Sequence, residues 1–150
     1  MSLSVDVALD GARSPLGRAR VAELARAVLR AEGVRDGMLS IALVSTRRIQ
    51  ALNRKHLGRP GATDVIAFGF SRVGKHGPVV GDVYIAPDVA RESARQNGIS
   101  VREELARLVV HGTLHVLGYD HPEDDSRTSS AMWRRQERLV ARLAGRGKAR

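Results

Sequence analysis

The sequence predicts an α+β domain, one small mixed sheet of about four strands packed with about five helices. Three observations predict it. Apolar residues recur with a period of two in some stretches and of 3.6 in others, and the two kinds are interleaved. Glycine and proline punctuate the joins between them. A length of 150 residues, 43% of them hydrophobic, suits a single domain over 1–150 with one sizeable core. Aromatics supply only 3%, so Leu, Val, Ile and Ala must build that core.

Ser4 to Leu9 alternates apolar and polar residues, the mark of a half-buried strand. Gly17 to Glu32 places Val21, Leu24, Ala25, Val28 and Leu29 at helical spacing, and Gly33 ends it. Met38 to Val44 reads as a strand, and Thr46 to Leu57 as a helix with Ile49, Leu52 and His56 along one side. Asp64 to Phe70 and Val79 to Ala86 are two further strands. Gly74, Gly77 and Pro78 between them predict a hairpin-like loop. Pro87 suits the first turn of a helix that Asn97-Gly98 stops. Ser100 and Glu103 form a capping-box pattern for a helix running to about Leu117, closed by Gly118. A last helix is expected over Ser126 to Ala144, with Met132, Trp133, Gln136, Leu139, Val140 and Leu143 facing inward. Glu123, Asp124 and Asp125 read as its acidic start, favoured by the helix dipole.

Composition excludes several chemistries. There is no cysteine, hence no disulfide, thiolate nucleophile or Cys-based metal site, as befits a reducing compartment. The first ten residues lack a basic segment followed by an apolar one, and no apolar run reaches the roughly 20 residues of a membrane span. A soluble, cytoplasmic protein without a membrane partner is expected. The net charge of +9 is concentrated at the end: Arg134 to Arg150 holds seven basic residues against Glu137 alone, six of the nine net charges, and 145–150 is a basic tail. Such an end suits RNA, or is a solvated helix face and a ragged tail.

The segment Val110 to His121, VHGTLHVLGYDH, carries the chemistry. His111 and His115 lie one helical turn apart on one face. Gly118 can take a positive φ and turn the chain so that His121 returns to the same point. Three imidazoles and one vacant position describe a catalytic zinc site, whereas a structural site is closed by a fourth protein ligand. The helix around them is apolar almost all round. Unpartnered imidazoles there would each cost about 1–3 kcal/mol, which a metal ion or hydrogen bonds within the core would remove.

His111, His115, Gly118 and His121 resemble the long zincin signature of metzincin peptidases, but Gly112 stands where those enzymes carry their general base Glu. A metal held by the three histidines still polarises a substrate oxygen and acidifies its water, and a phosphodiester matches the basic surface. With Leu52-Asn53, Thr63-Asp64-Val65-Ile66-Ala67-Phe68, Gly81-Asp82-Val83 and Ile85, with His111 through His121, and with Met132, Gln136 and Glu137, the chain resembles the YbeY family of bacterial ribosome-associated metallo-endoribonucleases. The resemblance runs from about Leu52 onward. It implies a zinc-dependent hydrolase directed at single-stranded RNA, acting in ribosomal RNA maturation and ribosome quality control. It also implies one zinc ion on His111, His115 and His121, and ribosomal or small-subunit assembly components as partners. One departure stands out: Leu57 occupies the position where the family usually places an arginine. Arg59, in the Gly58-Arg59-Pro60-Gly61 loop, is the residue able to replace it.

Supporting residues keep two readings each. Asp120 is a catalytic or histidine-supporting carboxylate, or a turn residue beside Gly118. Asp64 orients the site or starts a strand. Asp82, unusual within a strand, supports a histidine or faces solvent. Arg54 and Lys55 are phosphate contacts or surface charge, and His56 and His76 are surface residues. A non-catalytic RNA-binding assembly factor with a structural zinc, and a zinc peptidase recruiting its base elsewhere, are the rival functions.

Overall fold

The periodicities above resolve into four strands and five helices in a computed structural model that describes residues 2–120 and 130–144. Strand β1 (Leu3–Asp10) leads through helix α1 (Arg18–Ala31) to β2 (Gly37–Val44), then through α2 (Thr46–Leu57) to β3 (Val65–Gly69) and β4 (Val79–Ile85). Helices α3 (Pro87–Asn97), α4 (Val101–Val116) and α5 (Ala131–Leu143) follow. The sheet order is β1-β2-β4-β3. β1 and β4 run parallel to the central β2, while β3 pairs antiparallel with β4 as the hairpin-like loop requires. The sheet is therefore mixed, in an α+β domain.

The alternation of each strand sorts its side chains onto two faces. Leu39, Ile41, Leu43, Val79, Val83 and Ile85 join the main core beneath α1, α4 and α5. A second, smaller cluster of Val44, Ile49, Leu52, Ile66 and Ala86 packs α2 against the opposite face at one end. The rest of that face is open: Met38 and Val80 are exposed, beside Asp6 and Ser40.

Helix boundaries follow local chemistry. Ser45 and Ser100 accept hydrogen bonds from the N–H groups of Arg48 and Glu103, satisfying helix-terminal donors. Of the expected capping box, the Glu103 carboxylate reaches Arg107. Gly58 and Gly98 end α2 and α3 in the left-handed region. The last helix begins later than the spacing suggested. Ser130 is extended and caps it by accepting from Trp133 N, so the helix starts at Ala131 and not at Ser126. No acidic residue lies in its first turn; Glu123, Asp124 and Asp125 fall outside the described residues.

Helix α4 is central, with eleven of its sixteen residues buried. Three glycines let it settle onto the sheet. A β-carbon on Gly69 would lie 2.5 Å from the Val116 carbonyl oxygen, and one on Gly81 2.4 Å from Val116 Cγ1. Gly69 and Gly81 are cross-strand partners, so together they make a trough for the last turn of α4. Gly112 does the same from the helix side, where a β-carbon would lie 2.6 Å from Val83 Cγ1.

Candidate metal centre and its cleft

Because Gly112 and Val116 face the sheet, His111 and His115 project along a neighbouring face of α4 into a cleft of about 430 Å³. Their ring centroids are 4.7 Å apart with planes at 78°. Two imidazoles on one tetrahedral zinc, with Zn–N near 2.0–2.1 Å, hold their centroids about 5 Å apart. The observed pair fits that spacing.

The protonation pattern of His111 also fits. Its Nδ1 lies 2.6 Å from Gln136 Oε1, and the Gln136 amide nitrogen donates to Glu137 Oε2 at 3.1 Å. That second bond orients the amide, so Gln136 presents its oxygen and His111 Nδ1 is the donor. His111 Nε2 then keeps its lone pair for a metal ion. Glu137 is itself clamped by Arg107, Nε to Oε2 at 2.9 Å and Nη2 to Oε1 at 3.0 Å, and Arg107 reaches Glu103 as well. The hydrogen bond to Glu137 raises the Arg107 pKa further above its ordinary value. A chain of four polar residues on α4 and α5 thus ends on one imidazole.

Gly118 has φ +99°, a conformation that suits glycine and turns the chain out of α4. The turn is held from α1, where Glu32 accepts from the Tyr119 hydroxyl at 2.6 Å and from Arg135 Nη2 at 3.0 Å. The bond to Glu32 raises the Tyr119 pKa. Asp120 follows, exposed. His121 lies outside the described residues. Among the described residues no three His, Cys, Asp or Glu side chains converge as a metal cage.

Arg59 lines the same cleft as the two histidines, together with Leu57, Asn53 and Asp64. The path is local. Gly58, at φ 62°, reverses the chain after α2, and the buried Asn53 donates to the Gly61 carbonyl at 3.2 Å, tying the loop back to its helix. Arg54, Lys55, His56 and His76 are exposed, with the His56 ring against Phe68. Asp82 supports neither His111 nor His115. Its neighbours Gly81 and Val83 meet α4, so alternation turns Asp82 to the other sheet face, beside Ser40 and Asp6.

A second cleft, of about 500 Å³, meets the first at His111, Asp64 and Val65. Glu104, Arg107 and Leu108 of α4 and Trp133, Gln136 and Glu137 of α5 line it, with Ser93, Asn97 and Ile99 closing the side. Burial pushes the Glu104 carboxyl up from its ordinary range. Sequence reasoning missed three residues here. Gln136 read as part of a core stripe and, like Asn53, as a residue carrying the family resemblance with no role of its own, and Glu104 passed unremarked. The available signal was a polar side chain at a position where the helical period demands burial.

The sequence profile of the family described as Endoribonuclease YbeY matches residues 13–144. A relative from Anaeromyxobacter, also named Endoribonuclease YbeY, is 44% identical over 87% of this chain and 68% of its own length. One from Bacillus licheniformis, of the same name, is 35% identical over 95% of this chain and 96% of its own. A solution structure of a Thermotoga maritima protein superposes with a TM-score of 0.65 at 28% identity, covering 95% of this chain and 90% of that one.

Proposed function

Because the chain belongs to the endoribonuclease YbeY family, we propose that it is a metal-dependent endoribonuclease directed at single-stranded RNA, acting in ribosomal RNA maturation and ribosome quality control. The observation that carries the reading is the His111–His115 pair, with His111 held by Gln136 in the tautomer that carries its proton on Nδ1. His121, three residues beyond the Gly118 turn, is assigned as the third ligand of one zinc ion, which when bound supplies a Lewis acid and activates water.

The chain's own residues do the rest. Arg59, on the cleft wall opposite α4, binds the phosphate and offsets charge developing on its oxygens, taking over from the residue that Leu57 replaces. Asp120 acts beside His121 as a proton acceptor. The net charge of +9 draws RNA to the surface, and the partners are ribosomal RNA and small-subunit assembly components in the cytoplasm. No helix among the described residues is long and apolar enough to cross a membrane. A peptidase reading loses its main support at Gly112: that position holds no general base, and a β-carbon there would lie 2.6 Å from Val83 Cγ1, which leaves no room for a glutamate as the helix is bedded.

The test compares the wild type with His115→Ala on a single-stranded RNA, with metal content and circular dichroism measured on both. The expected result is zinc and cleavage in the wild type, and loss of both in a variant that still folds. RNA binding by wild type with no cleavage at any metal loading would sink the enzyme in favour of an assembly factor with a structural metal. Arg59→Ala is expected to lower cleavage on the order of 100-fold while metal content stays unchanged.

A further inference from the structure

The second cleft has a different chemistry from the first. Its walls present Glu104, Asp64 and Glu137, and Arg107 is the guanidinium among its described lining residues. Arg107 is committed to Glu137 by two hydrogen bonds and to Glu103 by a third. A phosphate placed there would meet carboxylates with no uncommitted guanidinium to offset them. The cleft therefore rejects phosphate and favours a ligand rich in N–H donors.

Glu104 is the side chain that singles the place out. It is only 6% exposed, yet it lines the cleft, and among the described residues no hydrogen bond reaches its carboxylate. No side-chain oxygen among the described residues is both sealed from solvent and unbonded, so this carboxylate opens onto the cleft, where a ligand's donors can meet it. The same cleft is lined by Trp133, the chain's one tryptophan. An aromatic wall and a buried acceptor are the two elements with which proteins hold an unstacked base: stacking on its face and hydrogen bonds to its edge. The volume, about 500 Å³, falls within the range of small-ligand sites.

Position fits as well. Glu104 precedes His111 by seven residues on α4, two turns and about 10 Å along the helix axis. That is comparable to the reach from a backbone phosphate through ribose and base to the Watson–Crick edge. The two clefts share His111, Asp64 and Val65, so a strand whose phosphate lies at the histidines can drop one neighbouring base into the second cleft.

We propose that this cleft is a base-reading subsite that stacks one unpaired base on Trp133 and accepts its Watson–Crick donors on Glu104, with guanine as the preferred base. The preference follows from the donor pattern. Guanine places an imino N1–H beside the N2 amino group, two donors side by side for the two oxygens of one carboxylate. Adenine and cytosine place a ring acceptor beside their amino group, and uracil flanks its single N–H with carbonyls. Both mismatched patterns point lone pairs at the carboxylate.

The inference rests on the endoribonuclease reading, but its test does not need cleavage. Since Trp133 is the sole tryptophan, its fluorescence reports occupancy of the cleft in the full-length protein. Titration with GMP, IMP, AMP, CMP and UMP should give quenching in which GMP binds about tenfold more tightly than AMP, CMP or UMP, the discrimination one bidentate pair supplies. IMP, which lacks the N2 amino group, should fall between. Glu104→Gln, a near-isosteric variant, should erase the GMP preference while circular dichroism stays unchanged. Equal affinity for the four bases, no quenching up to millimolar concentration, or a guanine preference surviving Glu104→Gln would each overturn the proposal. Selective GMP binding by a protein that cuts no RNA would leave the subsite standing and remove the nuclease. RNA cleavage indifferent to the bases beside the scissile bond, in a protein without nucleotide selectivity, would do the reverse.

Discussion

Gly81 and Asp82 are neighbours in β4, and they lie on opposite faces of one sheet with opposite consequences. On the Gly81 side the absence of a side chain matters: Gly69, Gly81 and Gly112 let α4 sink close enough for Val116 to touch the strands. That depth sets the heights of His111 and His115 above the sheet and opens both clefts beside them. On the Asp82 side, Asp6, Ser40 and Asp82 line up across three strands, and the packing seen among the described residues is the small α2 cluster at one end. The difference teaches that one face sets the histidines, while the loop after α2, a helix packed on the other face, brings Arg59 to their cleft. It also shows that a motif's conspicuous residue, here the aspartate of Gly81-Asp82-Val83, need not be the one the site uses.

The comparison can be broken or sharpened by substitution, and the largest effect belongs to the side that carries the histidines. Gln136→Met keeps the volume of a buried side chain but removes the acceptor for His111 Nδ1. The apparent affinity for zinc, measured by competition with a chromogenic chelator, should fall about 10- to 100-fold. An unchanged affinity would mean that Gln136 does not orient the ring. Next comes Gly69→Ala, whose methyl group would press on the Val116 carbonyl. Chemical denaturation should show a loss of about 1–3 kcal/mol from overpacking.

Glu104→Gln has a smaller effect of the opposite sign. Burial raises the Glu104 pKa in the fold, so its charged form is less stable there than in the unfolded chain. Wild-type stability from this group is complete below the unfolded value, near 4.5, and declines as pH rises through the higher folded value. Glutamine has no charge to desolvate. The variant should therefore melt above the wild type at neutral pH and converge with it in acid, and a gap independent of pH would contradict the desolvation account. The smallest effect is expected on the open face, where Asp82→Ser should alter stability by no more than about 0.5 kcal/mol. A larger change there would show that the open face is coupled to the core after all.

Much of this was legible in residue order. Thr46–Leu57 and Pro87–Asn97 are helices whose ends Ser45, Gly58, Pro87 and Gly98 announce through local backbone chemistry. The parallel β1–β2 pair agrees with its helical connection, and the antiparallel β3–β4 pair with its short hairpin-like loop. His111, His115 and Gly118 were identifiable because spacing along a helix is a matter of geometry within one element. The start of α5 was not. Ser126 and Ser130 offer the same capping chemistry, and only the chain's path selects Ser130.

By itself, then, the order of residues determined the elements, the class of fold, and the fact that two imidazoles share one helix face, since each of these depends on neighbours within a turn or two. Tertiary structure alone decided what stands opposite them. Gln136 meets His111 across 25 positions of chain, Arg59 reaches their cleft from another helix's end, and Glu104 shares a cleft with Trp133. No local rule brings such partners together. They meet because three glycines fix how deeply one helix beds into the sheet, and that depth is a property of packed faces and not of any single segment.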